Sequence, residues 1–191
     1  ADEVADVFRL LEEVPVEGSF QHLMVSPVNS RRKFVACIER EIQHAVAGRP
    51  AWMVLKMNSL EDAAMIDKLY EASQAGVQIK LIIRGICCLV PGVPGLSENI
   101  EVISIIDRFL EHARVYHFAN AGEEELFLAS ADWMTRNLDR RVEVVFPIYN
   151  PVLKQELVEI LHTQWADNVK ARVLNAEQDN PYKAVSTGEA P

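Results

Sequence analysis

Apolar residues spaced three and four apart open the chain. Val4, Val7, Phe8 and Leu11 fall on one face of a helix expected over residues 2–12, and Pro15 and Gly18 break it. Residues 22–26 read as a short buried strand stopped by Pro27. Asn29 or Ser30 can then cap a helix reaching about Ala47, with Phe34, Ile38, Ile42 and Ala45 as its stripe and Gly48 and Pro50 at its end. Residues 52–57 form an apolar run of strand length. Ser59 with Asp62 resembles a capping box for a helix carrying Ile66, Leu69 and Tyr70, and Gly76 is placed to end it. Residues 77–83 make a second strand. Strand, short helix and strand with tight joints predict a parallel βαβ crossover.

The second half is punctuated differently. Residues 85–99 are rich in Pro and Gly and read as a long loop, the kind of segment that often carries binding groups. A short strand is expected over 100–103, a helical turn over 107–111, and strands over 109–118, 126–129 and 142–146. Pro151 opens a last helix whose core face would be Leu153, Leu157, Ile160, Leu161 and Trp165. After Leu174 the chain is polar and is expected to fray.

Alternation places the polar residues. His112, Arg114, Tyr116 and Phe118 would share one side of the 109–118 strand. If that strand pairs with 126–129 as a hairpin, its start lies beside Ser130 and Asp132. An imidazole, a fixed cation, a hydroxyl and a carboxylate then meet, a set suited to chemistry on a phosphate. Ligands of open α/β sheets sit beyond the carboxyl ends of parallel strands, and there the βαβ unit carries Lys56, Asn58 and Arg84. Each group also has a plain structural use: a hydrogen-bonded histidine, a turn-satisfying Ser130 or Asp132, a solvated run of Arg136, Arg140 and Arg141. Asp132 would repel a phosphate, so its expected role is to orient His112 or an arginine.

Length and charge narrow the classes. A chain of 191 residues can bury a sizeable core, and no run approaches the ~20 apolar residues of a membrane span. No export leader is visible, and three cysteines, Cys87 and Cys88 adjacent, form no disulfide framework and no zinc spacing. A cytoplasmic setting is expected, with attachment at the inner membrane face left open. Net charge is −9, so a polyanion would have to be held by clustered arginines, and nonspecific nucleic-acid binding is not expected.

The runs Arg84-Gly-Ile-Cys-Cys-Leu, Pro91-Gly-Val-Pro-Gly-Leu-Ser-Glu-Asn-Ile100, Arg108-Phe-Leu-Glu-His-Ala-Arg114 and Ser130-Ala-Asp-Trp-Met-Thr-Arg-Asn-Leu-Asp-Arg-Arg-Val-Glu143 resemble the C-terminal part of bacterial polyphosphate kinases of the phosphohistidine type. Lys56-Met-Asn-Ser-Leu60 and Tyr70-Glu-Ala-Ser-Gln-Ala-Gly76 fit the same family, and the resemblance runs from about Asp6 to Val173. It implies an α/β, phospholipase D-like mixed β-sheet flanked by helices on both faces. It divides the chain into a helix and linker over 1–20, a catalytic domain over 21–174 and a polar tail over 175–191. The implied activity is reversible transfer of the ATP γ-phosphate to inorganic polyphosphate, with Mg2+ whose ligands lie outside this chain.

The family's phosphorylated histidine belongs to a preceding domain, and no comparable motif occurs here. The resemblance therefore implies half an active site, inactive alone, whose partners are ATP or ADP, polyphosphate and the upstream domains of a homo-oligomeric enzyme. His112 would be catalytic. Arg84, His112, Arg114, Lys56 and Asn58 would bind nucleotide phosphates, with Ser130, Asp132, Arg136, Asn137, Arg140 and Arg141 in support. No metal ligand is assigned. The phospholipase D pattern of His-x-Lys, Asp and Gly-Ser-x-Asn is altered: Arg114 replaces the Lys, position 119 is Ala, and Ala129-Ser-Ala-Asp132 replaces the last motif. Two rivals remain at this stage, a homodimeric single-motif phosphodiesterase or nuclease, and a non-catalytic nucleotide- or polyphosphate-binding module.

Overall fold

The structure, a computed structural model, describes residues 2–14, 16 and 20–184. Expectations placed on Pro15, Gly18 and residues 185–191 lie outside them. The elements run α1 (Asp2–Leu11), β1 (Met24–Ser26), α2 (Ser30–Val46), β2 (Trp52–Met57), α3 (Ala63–Gln74), β3 (Gln78–Ile83), β4 (Ile100–Ser104), β5 (Arg114–Phe118), β6 (Glu125–Ala129), α4 (Thr135–Asp139), β7 (Glu143–Pro147), α5 (Pro151–Ala166) and β8 (Arg172–Leu174). The strands form one mixed sheet in the order β1-β7-β6-β5-β2-β3-β4-β8. The expected βαβ unit is present: β2 pairs parallel with β3, and β3 with β4. The hairpin is present too, with Arg114 opposite Ala129.

Strand alternation builds a core on each face. Met53, Leu55, Ile79, Leu81, Tyr116 and Phe118 turn toward α2 and α3. Val54, Ile82, Val115 and Leu126 turn the other way, to meet Leu161, Leu157 and Trp165 of α5. Helices therefore cover both faces of the mixed sheet. Phe34 of α2, Tyr116 of β5 and Trp133 interlock at the first core, with ring centroids 4.6–5.5 Å apart.

Several expectations need correction. The strand expected over 109–118 begins only at Arg114, and residues 107–111 bend without forming a helical turn. β2 ends at Met57 and β6 at Ala129, so earlier residues have no ladder to join. The cap of α3 is Asp62 itself, which accepts from the Met65 N–H at 3.1 Å. Leu153 and Ile160 are about half exposed, because α5 meets the sheet through Leu157, Leu161 and Trp165. On α1, only Val7 of the four apolar positions is buried, against Phe20 and Val25. The polar run after Leu174 does not fray throughout: Val173 N–H donates to Pro181 O and Lys183 N–H to Ala171 O, folding residues 181–183 back along β8.

Candidate functional site

Register brings one end of the sheet to a point. β2, β3 and β4 run parallel and finish at that end, while β5, β7 and β8 run against their neighbours and start there. Asn58, Arg84, Arg114, Ser130 and Arg172 therefore share one rim. Three connections knit it together. Gly85 N–H donates to Asn58 O at 2.8 Å, Leu60 N–H to Ile86 O at 2.8 Å, and the Glu61 and Asp62 N–H groups to Trp133 O at 2.9 and 3.0 Å.

Asp132 is the hub. One oxygen accepts from the Asn58 N–H at 2.8 Å and from Arg114 Nε at 3.1 Å; the other accepts from Arg114 Nη2 at 3.0 Å. Burial alone would raise its pKa, but the Arg114 guanidinium and the N–H groups of Asn58 and Ser59 outweigh burial and hold it below the ordinary carboxylate range. Arg114 Nη1 then donates to His112 O at 3.1 Å, fixing the backbone that carries the imidazole. Across the rim, Arg84 Nε donates to Asn58 Oδ1 at 2.9 Å, and Arg84 Nη2 lies 3.4 Å from His112 Nδ1. Arg84 has no carboxylate partner among the described residues, and His112 is exposed.

The expected cations thus divide. Arg84 presents uncompensated charge beside His112. Arg114 is neutralised by Asp132. Lys56 is buried and its Nζ lies 2.7 Å from Glu111 Oε2, which also accepts from Gln164 Nε2 at 2.8 Å. That Lys56 pairing, the leading cause, draws the Glu111 pKa down. As it stands Lys56 anchors the His112 segment and offers no free charge. Ser130 is bonded structurally: its hydroxyl accepts from the Val144 N–H at 3.1 Å and donates to Glu143, which takes a second bond from Asn137 Nδ2 at 2.7 Å. Arg136, Arg140 and Arg141 are exposed on and after α4, without ion pairs among the described residues.

Behind the rim stands a cluster that sequence reasoning missed. Arg31 forks onto both Asp62 oxygens at 2.8 and 2.7 Å and onto both Asp139 oxygens at 2.8 and 2.7 Å, and Thr135 adds a bond to Asp62 at 2.8 Å. It ties α2, α3 and α4 under the Asp132 loop. Glu111 was missed as well, although it directly precedes His112. No periodic pattern marks a charge pair between segments 31 or 55 residues apart.

Among the described residues, no three His, Cys, Asp or Glu side chains gather to hold a metal ion. Asp132, the one acid at the centre, has its oxygens committed to Arg114 and Asn58. The residues present do not fit a magnesium cage. Likewise, no helix among them is long and apolar enough to cross a membrane.

The chain resembles known proteins along most of its length. The family model described as polyphosphate kinase C-terminal domain 2 matches residues 23–190. The polyphosphate kinase of Vibrio parahaemolyticus is 48% identical over 181 residues, 95% of this chain and 26% of that protein. That of Synechocystis is 48% identical over 201 residues, 99% of this chain and 28% of that protein. The chain thus spans about a quarter of such relatives. The crystal structure of the polyphosphate kinase from Porphyromonas gingivalis superposes with a TM-score of 0.94 at 45% identity, over 98% of this chain and 29% of that one. The phospholipase D family member Nuc from Salmonella typhimurium shares the fold alone, with a TM-score of 0.56 at 16% identity over 80% of this chain and 96% of that one.

Proposed function

The chain belongs to the polyphosphate kinase C-terminal domain family, and from that premise we propose that it supplies half of a site for reversible transfer of the ATP γ-phosphate to polyphosphate. The observation that carries the reading is the Arg84–His112 pair, an uncompensated guanidinium 3.4 Å from an exposed imidazole at the carboxyl end of parallel strands. Phosphoryl transfer asks chiefly for positioning and charge neutralisation. Arg84 holds a phosphoryl oxygen through its free N–H groups. His112 gives a proton to, or takes one from, the bridging or attacking oxygen. Arg114 keeps that imidazole in place through the His112 carbonyl, and Asp132 and Asn58 keep Arg114 and Arg84 in place.

The phosphohistidine and any magnesium ligands are assigned to upstream domains, so this chain alone binds without turning over. Calorimetric titration with ATP tests the reading. The wild-type chain should bind, and Arg84→Ala should weaken binding about tenfold, as expected for a charge-assisted contact. Equal binding by the two would sink the assignment of Arg84.

A further inference from the structure

A cleft of about 430 Å3 opens on the outer side of Arg84, between the 85–91 loop and the return that follows β8. We propose that it is a second anion subsite, which takes the continuing length of a linear polyphosphate whose end is held at Arg84. The inference rests on the phosphate-transfer reading of the Arg84–His112 pair and extends it outward along the sheet edge.

Charge is the first argument. In a chain of net charge −9, no Asp or Glu among the described residues lines this cleft. Its polar wall is Arg84, Ser104, Arg172 and the amides of Asn175, Gln178 and Asn180. Neither arginine has a carboxylate partner among the described residues, whereas Arg31, Arg40 and Arg114 are each paired with acids. The cleft thus joins two unneutralised cations with neutral donors, a selective setting for an anion.

Register is the second. Arg172 lies directly opposite Ser104 on β4, and the Ser104 hydroxyl donates to Arg84 O at 3.4 Å. Arg84 and Arg172 thus stand two strands apart on one rim, roughly 10 Å by the usual spacing between strands. Both side chains line one cleft from those two strand positions, and a chain of phosphates, charged at every unit, can run from one to the other. The third argument is preorganisation. The Arg172 guanidinium lies 4.0 Å over the Tyr182 ring and gives one N–H to Asn180 O at 3.0 Å. Its plane is fixed by stacking while its other N–H groups stay available. The arginines after Asp132 lack these walls: Arg136, Arg140 and Arg141 line no part of the cleft.

The test compares two probes on this chain by calorimetry: pyrophosphate, which offers two phosphates only, and medium-length polyphosphate. Two variants are used. Arg172→Ala removes the cation. Asn180→Asp places a carboxylate in the cleft at a backbone position with φ of 48°, which Asp tolerates. Each should weaken polyphosphate binding about tenfold and pyrophosphate binding less than about twofold. The slope of log affinity against log salt for polyphosphate should fall by about one. Arg172→Lys should restore most of the loss, which separates charge from folding. If wild type binds both probes and neither variant changes polyphosphate affinity, the cleft is not a subsite and the Arg84 reading stands. If wild type binds neither probe, the phosphate-transfer reading fails and the cleft assignment with it.

Discussion

Arg114 and Asp132 meet as a planar fork, Nε to one oxygen at 3.1 Å and Nη2 to the other at 3.0 Å, with both side chains nearly out of solvent. The pair joins the start of β5 to the connection after β6. Asp132→Asn keeps the shape and removes the charge, leaving a buried guanidinium facing an amide. Breaking a buried pair in this way costs about 3 kcal/mol. Urea unfolding should show that loss, and His112 should lose its fixed backbone, lowering ATP affinity as well. A variant as stable as wild type would show that the fork does not hold the site.

Acid should dismantle the scaffold beneath the site in a defined window. The Arg31 fork draws the Asp62 pKa from an ordinary 3.8 down to about 2, against burial, which acts the other way. The folded state therefore binds fewer protons than the unfolded one between those values. The associated stability, on the order of 2 kcal/mol, is complete above pH 3.8 and lost as pH falls through about 2. Asp132 is lowered too and acts with the same sign. Wild type and Asp62→Asn should differ at pH 6 and converge near pH 2 in chemical unfolding. A gap independent of pH would contradict the pairing.

Gly85 is required by contact, since a Cβ there would lie 2.9 Å from Asn58 O, the same oxygen its own N–H bonds. Both partners are backbone, so Gly85→Ala must push apart the ends of β2 and β3. The expected cost is about 2 kcal/mol, in the range of overpacking. Arg84 and Asn58 move with that backbone, so ATP affinity should fall further than stability alone explains. Thermal melting beside titration measures both.

Lys56 and Glu111 should be coupled. Glu111→Ala strands a buried ammonium and should cost about 2 kcal/mol, less than a fully dry pair because Glu111 is partly exposed. Adding Lys56→Met removes the stranded charge, and the double variant should regain most of the loss. Additive losses in the cycle would mean that the two side chains do not interact.

Much of the site was legible early because it lies at strand ends. The apolar run 52–57 and the alternation through Tyr116 and Phe118 locate β2 and β5. Counting outward from them reaches Asn58, Arg84, Arg114 and Asp132. His112 was found by parity, yet it stands before the strand, held by Arg84 and Arg114 rather than by a ladder. Lys56 was legible as a cation but not as a neutralised one, because its partner Glu111 is 55 residues away. Arg172 drew no notice, since β8 is only three residues long and follows a helix.

Local chemistry therefore determined the elements and their order: periodicity reports which face is buried, and Pro, Gly and capping residues report where a segment stops. The family runs added the fold and the expected activity. Only tertiary structure decided which charges cancel. Arg114 meets Asp132 and Lys56 meets Glu111, while Arg84 and Arg172 have no acidic partner among the described residues along one rim. Ion pairing depends on strand register and loop closure across the whole sheet, and a sequence pattern of period two or 3.6 carries no information about which distant carboxylate a cation will face.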